Sequence, residues 1–235
     1  MIGMSEPLIS LQDIHFSYRR ARIWGSIVEK TVMKGISFDI FKNETLGVVG
    51  RNGAGKSTLL KVICGIYRPD IGQVVNNGAS VSIISLRAGF DQSLNGYENI
   101  IMSGLYHGYR RSEMLTMLDR IVAFSELNGV LEKPVETYSN GMKAKLGFSI
   151  LMGLEPDIML LDEALSVGDI DFAKKAERAM TKKLASGKAN VIVSHSLKKL
   201  QRLCTRILWI EDGEVRAIGE PDDVLGQYAN SARSK

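Results

Sequence analysis

The sequence is poor in cysteine and has no long apolar run. Its 235 residues include only two cysteines, Cys64 and Cys204, and neither has the paired spacing of a zinc or redox motif. We expect both to be buried, reduced thiols, and a disulfide scaffold is excluded. No run approaches the roughly 18 apolar residues of a membrane-spanning helix. Met1–Pro7 lacks the basic flank and the apolar core of a signal peptide, so we expect a cytoplasmic chain that reaches a membrane only through a partner.

Charge of one sign is not in large excess. The chain has 30 Lys+Arg and 26 Asp+Glu, a net charge of +4, which gives little support to a nucleic-acid partner. The sequence has no internal repeat, low-complexity segment or heptad run. An apolar fraction of 45% and a charged fraction of 24% are ordinary for a globular protein, and the length suits one large domain with an inserted lobe. One basic cluster is expected to be a solvated helix face: Lys174, Lys175, Arg178, Lys182 and Lys183.

Hydrophobic patterning predicts an α/β protein with two kinds of strand. Partial alternation over Leu8–Tyr18 and Val32–Phe41 indicates half-buried antiparallel strands, with an irregular basic stretch, Arg19–Thr31, between them. Three later runs are short, mostly apolar and followed by a polar or glycine-rich turn, which is typical of central strands in a parallel sheet. These runs are Thr45–Val49, Asp157–Leu161 and Asn190–Val193.

The remaining segments are predicted from periodicity and turn residues. From about 88 to 155, apolar residues at three-to-four spacing, as between Met114 and Phe124, predict a helical lobe inserted between strands of the sheet. Pro156 ends that pattern. The Asp212-Gly213 turn predicts a β-hairpin over residues 207–218. Residues 226–235 are expected to be a short polar tail.

A phosphate-binding loop is predicted at residues 50–57. This segment satisfies G-x-x-x-x-G-K-[ST] and lies between a predicted strand and a predicted helix that runs from Thr58 to Ile63. The glycines let backbone N–H groups turn toward phosphate oxygens, and the helix N-terminus adds a positive dipole. Lys56 is expected to bridge the β- and γ-phosphates, and the Ser57 hydroxyl to ligate Mg²⁺. The expected nucleotide-binding residues here are Gly50, Asn52, Gly53, Ala54, Gly55, Lys56, Ser57 and Thr58.

Two later strand ends carry side chains suited to phosphoryl chemistry. Asp162 ends an apolar run 106 residues after Lys56 and is followed by Glu163. Because parallel strands end at one edge of a sheet, Asp162 is expected in the magnesium shell, and Glu163 is expected to polarise the attacking water. A third apolar run ends at Ser194-His195, and His195 is expected to contact the γ-phosphate or orient the water.

Tyr138–Lys143, with the sequence Tyr-Ser-Asn-Gly-Met-Lys, resembles the signature motif of ATP-binding cassette (ABC) ATPases. The order of phosphate loop, signature, Asp-Glu pair and histidine matches that family over essentially the whole chain. The resemblance implies ATP and Mg²⁺ as cofactors. It implies a single ABC ATPase domain with a mainly parallel P-loop core, an antiparallel β subdomain and an inserted helical subdomain. It also implies a head-to-tail homodimer in which Ser139 and Gly141 close on ATP held by the other subunit.

Several details are similar to the ABC-2 type branch that exports polysaccharides such as O-antigen, capsule or teichoic acid. They are the form of the signature, Val167-Gly168-Asp169, Gly89-Phe90 before Leu94-x-Gly96-x-Glu98-Asn99, and the closing residues 219–224. This resemblance implies an ATPase, peripheral to the cytoplasmic face of the bacterial inner membrane, that powers polysaccharide or glycolipid export through a polytopic transmembrane subunit. A drug or haem exporter cassette and a nucleic-acid-associated cassette ATPase are the alternatives.

Two positions of the family pattern stay open. The segment from Ser82 to Gln92 has no glutamine immediately after its strand, where the family has a magnesium ligand, and Gln92 lies several residues too late. The aromatic residue that stacks on adenine is expected to be Tyr18, with Trp24 as the alternative, and a purely structural role for Tyr18 is equally open.

The C-terminal segment adds one expectation. Fewer than a dozen residues follow Val224-Leu225, and that is too few for the β-sandwich domain with which some O-antigen exporter ATPases bind the glycan end. We therefore expect a chain that does not itself recognise a terminal cap on the glycan.

Overall fold

A computed structural model describes residues 6–21, 27–84, 90–162 and 169–233. Its elements in chain order are β1 (Ile9–Ala21), β2 (Ile27–Ile40), β3 (Thr45–Val49), α1 (Lys56–Ile63), β4 (Ile71–Asn76), β5 (Val81–Ile84), α2 (Gly96–Tyr106), α3 (Arg111–Ser125), α4 (Asn140–Gly153), β6 (Ile158–Leu161), α5 (Ile170–Leu184), β7 (Ala189–Val193), α6 (Leu197–Leu203), β8 (Arg206–Glu211), β9 (Glu214–Gly219) and α7 (Pro221–Arg233).

The described residues fall into two compact units. The first takes those within Met1–Ile83, Pro156–Glu163 and Gly187–Lys235, and it contains the sheets. The second takes those within Ile84–Glu155 and Ala164–Ser186, and it is helical.

Three strands form an antiparallel sheet in the order β2-β1-β4. Both strands of the first hairpin run past their predicted ends, so the prediction of an irregular stretch over Arg19–Thr31 is wrong wherever that stretch is described. Arg19 pairs with Glu29 across the hairpin, and their side chains form an ion pair at 3.1 Å. This part of the hairpin is exposed, so charged side chains stand where a half-buried strand would alternate apolar and polar residues. A hydrophobicity pattern therefore does not detect the strand here.

Six strands form the central sheet in the order β5-β6-β7-β3-β8-β9. β3 lies parallel to β7 and β8, β6 lies parallel to β7, and β9 pairs antiparallel with β8 around the predicted Asp212-Gly213 turn. Every residue of β3, β6 and β7 is buried, as expected for strands covered on both faces. These three strands agree with their predicted bounds to within one residue.

A single cluster of buried apolar side chains fixes the helix that follows the phosphate loop. It includes Ile14 and Ile36 from the antiparallel sheet, Val48 and Leu160 from the central sheet, and Leu60 from α1. Each such side chain stabilises the fold by roughly 1.5–3 kcal/mol when it is fully buried. Burial of α1 against both sheets therefore holds the loop before it in one place.

The helical unit packs around three phenylalanines. The ring centroids of Phe124, Phe148 and Phe172 lie 5.9 to 6.1 Å apart. Lys175 Nζ donates to the Phe124 carbonyl at 2.9 Å, and Lys183 Nζ donates to the Met152 carbonyl at 3.0 Å. The prediction that the basic cluster on α5 is a solvated helix face is therefore wrong for these two lysines, whose ammonium groups donate to carbonyls near the C-terminal ends of α3 and α4.

The two cysteines differ in exposure. Cys204 is buried, and desolvation raises the pKa of its thiol to about 12, so it stays protonated. Cys64 is only half-buried, which corrects the expectation that both are buried.

The C-terminal segment is helical up to its last described residue. α7 continues to Arg233, and the Tyr228 ring packs edge-on against Trp209 at 5.6 Å between centroids. Across the described ranges, no helix combines the length and the apolar character that crossing a membrane requires.

Candidate nucleotide-binding site

The phosphate loop is shaped by a glycine that precedes α1. Gly55 has φ +98°, and a Cβ atom there would lie 2.8 Å from Val32 Cγ1. A side chain at this position is therefore excluded both by the backbone conformation and by the close approach of β2. No side chain caps the N-terminus of α1 in the described structure, so its first backbone N–H groups can serve an anion.

Lys56, the first residue of α1, folds back over the loop. It is 8% exposed, and its Nζ donates to the carbonyls of Gly50 at 2.7 Å and Arg51 at 3.1 Å. These bonds hold the ammonium against the loop, and Lys56 lines one space with Ser57 and Thr58 of the same helix. A triphosphate in that space would meet a positive charge that is already positioned.

A hydrogen bond joins the two predicted magnesium ligands. Ser57 Oγ donates to Asp162 Oδ2 at 2.8 Å, although the two residues are 105 positions apart. Ser57 follows β3 and Asp162 follows β6, and both strands pair with β7. Mg²⁺ prefers oxygen ligands at about 2.1 Å in an octahedron, which places adjacent ligands about 3 Å apart. The separation and chemistry of these two oxygens fit that ion.

A cavity of about 280 Å³ opens beside the loop. It gathers most of the residues predicted for the site from four separate segments of the first unit. The predicted residues that line it are Tyr18, Asn52, Gly53, Gly55, Lys56, Ser57, Thr58, Asp162 and His195. Gly50 contributes its carbonyl to Lys56, and Ala54 is buried beneath the loop with its N–H bonded to the Arg51 carbonyl at 3.1 Å.

Tyr18 forms one wall of the cavity. Its hydroxyl lies 3.0 Å from Thr58 Oγ1, and its ring meets Phe16 and Tyr67 edge-on at 5.1 and 5.8 Å between centroids. The side chain is still 39% exposed. Tyr18 is thus held rigidly by its neighbours while part of it remains open to a ligand.

Three further predictions about single residues remain, for His195, Glu163 and Trp24. His195 is exposed after β7 and lines the cavity with Val193. Glu163 and Trp24 lie outside the described residues.

Besides Val193, the structure adds two cavity residues from β2 that the sequence argument missed. Lys30 and Val32 come from the stretch of β2 that was predicted to be an irregular loop or its boundary. Lys30 pairs directly with Tyr18 across the hairpin. The sequence could have indicated Lys30, because a second strand predicted to include residue 30 would have paired Lys30 with Tyr18.

Ser139 and Gly141 belong to the helical unit and not to this cavity. Ser139 is the N-cap of α4, and its hydroxyl accepts the Met142 N–H at 3.1 Å. A Cβ on Gly141 would meet only Ser139 Oγ, at 3.8 Å, so the described structure leaves room for a side chain there. The preceding Tyr138 is buried, and its hydroxyl donates to the Val130 carbonyl at 2.8 Å.

The residues of the helical unit that resemble the polysaccharide-export branch form hydrogen bonds within that unit. The Asn95 side chain accepts the Glu98 N–H while Glu98 accepts the Asn95 N–H, which forms a capping box for α2. Buried Asn99 bonds to the backbone of Asp91 and to the Leu94 carbonyl. The Gln92 carbonyl accepts the Glu136 N–H at 2.9 Å, so the backbone of this residue braces the helical unit.

A family model described as ABC transporter matches residues 33–166. The O-antigen export system ATP-binding protein RfbB of Myxococcus xanthus is 42% identical over 84% of this chain and 45% of its own length. The protein of the same name from Klebsiella pneumoniae is 39% identical over 93% of this chain and 89% of its own length. The teichoic acids export ATP-binding protein TagH of Enterococcus faecalis is 44% identical over 83% of this chain and 44% of its own length. The chain thus spans less than half the length of the first and third relatives.

Solved structures share the fold. An ATP-binding subunit of an ABC transporter superposes with a TM-score of 0.76 at 23% identity, covering 94% of this chain and 93% of its own. An ATP-binding cassette solved as a dimer with ADP and Pi gives a TM-score of 0.69 at 20% identity, over 91% and 98%.

The phosphate loop, the helix it opens and a carboxylate at the end of another parallel strand of the same sheet define a P-loop nucleotide-binding fold. More specifically, the chain belongs to the ABC transporter family. The family and fold class predicted from the sequence are therefore confirmed.

Proposed function

We propose that this chain is an ATP-hydrolysing subunit that powers export of a polysaccharide or glycolipid through a separate transmembrane subunit. The observation that carries the ATPase part is the Ser57 to Asp162 hydrogen bond beside the positioned Lys56 ammonium. The export part is supported by the names of relatives that are 39 to 44% identical, which refer to O-antigen and teichoic acid export.

The binding step uses the loop and α1. The uncapped N–H groups of α1 and the Lys56 ammonium hold the β- and γ-phosphates. Tyr18, fixed by its bond to Thr58, offers the exposed part of its ring to adenine. The remaining nucleotide-binding residues of the proposal are those of the loop from Gly50 to Ser57 that were predicted from the sequence.

The hydrolytic step uses residues at the carboxyl ends of the strands. Ser57 and Asp162 would hold Mg²⁺, which supplies a Lewis acid for the phosphate oxygens when it is bound. Glu163, next to Asp162 in the chain, accepts a proton from the attacking water. His195, at the exposed rim after β7, orients that water or contacts the γ-phosphate.

A second phosphate contact comes from a second copy of the chain. We place Ser139 and Gly141 against the nucleotide of the partner in a head-to-tail homodimer. Glycine is a poorer helix former than alanine, by about 1 kcal/mol in a helix interior, so its presence in α4 calls for a reason. Since nothing described near Gly141 requires a glycine, close approach by another molecule accounts for the small residue.

The other features of the proposal concern organisation and partners. We interpret residues 1–235 as one ABC ATPase domain with a helical subdomain inserted at about 88–155. The chain acts at the cytoplasmic face of the bacterial inner membrane, peripheral to a polytopic ABC-2 type subunit and without nucleic acid. A drug or haem exporter is the alternative cargo class, but neither occurs in the names of the similar proteins reported above.

The test is phosphate release from ATP by the purified full-length chain, followed by an export assay in cells. We expect Lys56→Ala to lose ATP hydrolysis and to fail to restore surface polysaccharide to a strain that lacks the gene. Lys198→Ala, which removes an exposed lysine on α6, is the matched control and should behave like wild type. Full hydrolysis by Lys56→Ala would contradict the ATPase assignment, and normal surface polysaccharide in the deletion strain would contradict the cargo.

A further inference from the structure

We propose that Lys30 binds the α-phosphate of the nucleotide, a contact that rests on the proposed ATP-binding function and that the phosphate-loop motif does not include. Among the residues that the structure describes, two lysines line the cavity, Lys56 and Lys30. Lys56 is part of the motif and is buried against the loop, whereas Lys30 is exposed and comes from β2 in the antiparallel sheet.

The position of Lys30 follows from the pairing of the hairpin. Lys30 and Tyr18 are direct partners in the register of β1 and β2. Directly opposed residues of an antiparallel pair project from the same face with Cβ atoms about 4.5–5.5 Å apart. Both side chains line the cavity, so the ammonium and the tyrosine ring share one wall.

An irregularity in the strand brings this wall against the loop. The register of β1 and β2 shifts between Phe16 and Ser17, so that Phe16 pairs with Met33 while Ser17 pairs with Thr31. Val32 is the extra residue of this bulge, and both Val32 and Met33 are buried. Val32 then packs where a Gly55 side chain would be. The bulge thus fixes β2 to the phosphate loop two residues from Lys30.

The contents of the cavity indicate which phosphate Lys30 meets. Asp162 and Ser57 mark the end where the magnesium and the γ-phosphate are proposed to lie. Tyr18, whose hydroxyl lies beside Thr58 Oγ1, is the residue against which the base is proposed to lie. A cation opposite Tyr18 is therefore on the base side of the β-phosphate, and the anionic group on that side is the α-phosphate.

The experiment compares nucleotides that keep or lack the outer phosphates. The full-length chain is titrated calorimetrically with ATP and ADP, and AMP is measured by competition. We expect Lys30→Met to weaken all three about 3- to 10-fold and by similar factors, as for loss of one partly exposed charge-assisted contact. Lys30→Arg should restore most of the affinity. Lys34→Met, which removes an exposed lysine from the same strand outside the cavity, should bind like wild type.

Each other outcome overturns the assignment. If Lys30→Met weakened the binding of ATP but not of ADP or AMP, the contact of Lys30 would be with the γ-phosphate instead. Unchanged nucleotide affinity in Lys30→Met would show that Lys30 does not contact the nucleotide. An equal loss of affinity in Lys34→Met would show that the effect is not specific to Lys30. A Lys30→Met chain with a lower thermal midpoint and unaltered nucleotide affinity would make the lysine purely structural. If the wild-type chain bound no ATP, the proposed function would fail, a result distinct from failure of this contact alone.

Discussion

Two glycines of the phosphate loop differ in what surrounds them. Gly53 and Gly55 both have positive φ, +83° and +98°, but a Cβ on Gly53 would have nothing within 4 Å. A Cβ on Gly55 would press on Val32 at 2.8 Å. The first position therefore needs glycine only for its backbone angle, and the second needs it also for space.

This difference predicts an order of stabilities. Gly53→Ala should lower the free energy of unfolding by about 1 kcal/mol, the cost of a left-handed conformation for a non-glycine residue. Gly55→Ala should lower it by about 2–4 kcal/mol, because overpacking typically adds 1–3 kcal/mol. Urea denaturation of the two variants measures both values. Equal losses, or the reverse order, would show that Val32 does not confine the loop.

Glu163 is predicted to be the general base. Glu163→Gln should bind ATP and hydrolyse it about 10² to 10⁴ times more slowly, since the amide cannot accept the proton from water. ATP that is bound but not hydrolysed should then hold two chains together, which size-exclusion chromatography with and without ATP can measure. Exposed Glu132→Gln is the control and should hydrolyse at the wild-type rate. Turnover by Glu163→Gln near that of the control would remove Glu163 from the mechanism.

At the scale of elements, a charged contact joins α4 to the start of α5. Lys145 Nζ lies 2.6 Å from Asp169 Oδ2, and the other carboxylate oxygen of Asp169 accepts the Phe172 N–H at 2.9 Å. Only 17% of the Lys145 side chain is exposed, and its ammonium lies 5.1 Å from the centre of the Phe172 ring. The helix that begins at the signature is therefore tied to the helix that begins seven residues after Glu163.

This contact predicts a pH-dependent loss of stability. The hydrogen bond from Lys145, and then that from the Phe172 N–H, hold the pKa of Asp169 below its usual value near 3.8. The folded state thus favours the carboxylate, so the stabilisation is present above the ordinary pKa and is lost as pH falls through the folded one. Lys145→Met should lower the denaturation midpoint at pH 7, and its difference from wild type should shrink as pH falls below about 4.

A nearby exposed pair provides the control for that prediction. Lys174 and Asp171 are 3.9 Å apart and mostly solvated, so Lys174→Met should change the midpoint little. Denaturation curves for the three proteins between pH 7 and pH 3 make the comparison. A Lys145→Met midpoint equal to that of Lys174→Met at pH 7 would show that the closer pair does not hold the helices.

At the scale of the whole molecule, the proposed dimer needs one loop and one signature from opposite chains. Ser139→Asp keeps an N-cap for α4, because aspartate caps as well as serine does, but it sets a negative charge where the partner's phosphates would lie. Ser139→Asn keeps the cap without the charge. We expect Ser139→Asp to lose ATP-dependent dimerisation and Ser139→Asn to keep most of it.

Mixing two inactive chains tests the arrangement further. Lys56→Ala damages the loop and Ser139→Asp damages the signature, so each homodimer has two broken sites. A heterodimer of the two has one intact site, and the mixture should regain part of the hydrolysis that each variant lacks alone. Phosphate release from the mixture measures this gain. A mixture no more active than its components would contradict the head-to-tail arrangement.

The hydrophobicity pattern of the sequence predicts some strands of this fold and not others. The buried strands β3, β6 and β7 are predictable because strands covered on both faces are short apolar runs. The outer part of the first hairpin is not, because its exposed residues are held by pairing such as that of Arg19 with Glu29. β4 was missed for the same reason: most of its residues are exposed, and β1 supplies its hydrogen-bond partners.

The chemistry of the site was determined by the sequence, since the loop pattern, the carboxylate after β6 and the histidine after β7 each follow from local residue types at strand ends. The meeting of Ser57 with Asp162 was also predictable, because parallel strands end at one edge of a sheet. Only the tertiary structure decided that Lys30 joins them, since it reaches the cavity through the register and the bulge of one hairpin. Register depends on packing against neighbouring strands rather than on the residues of a single strand, so a linear pattern does not contain it.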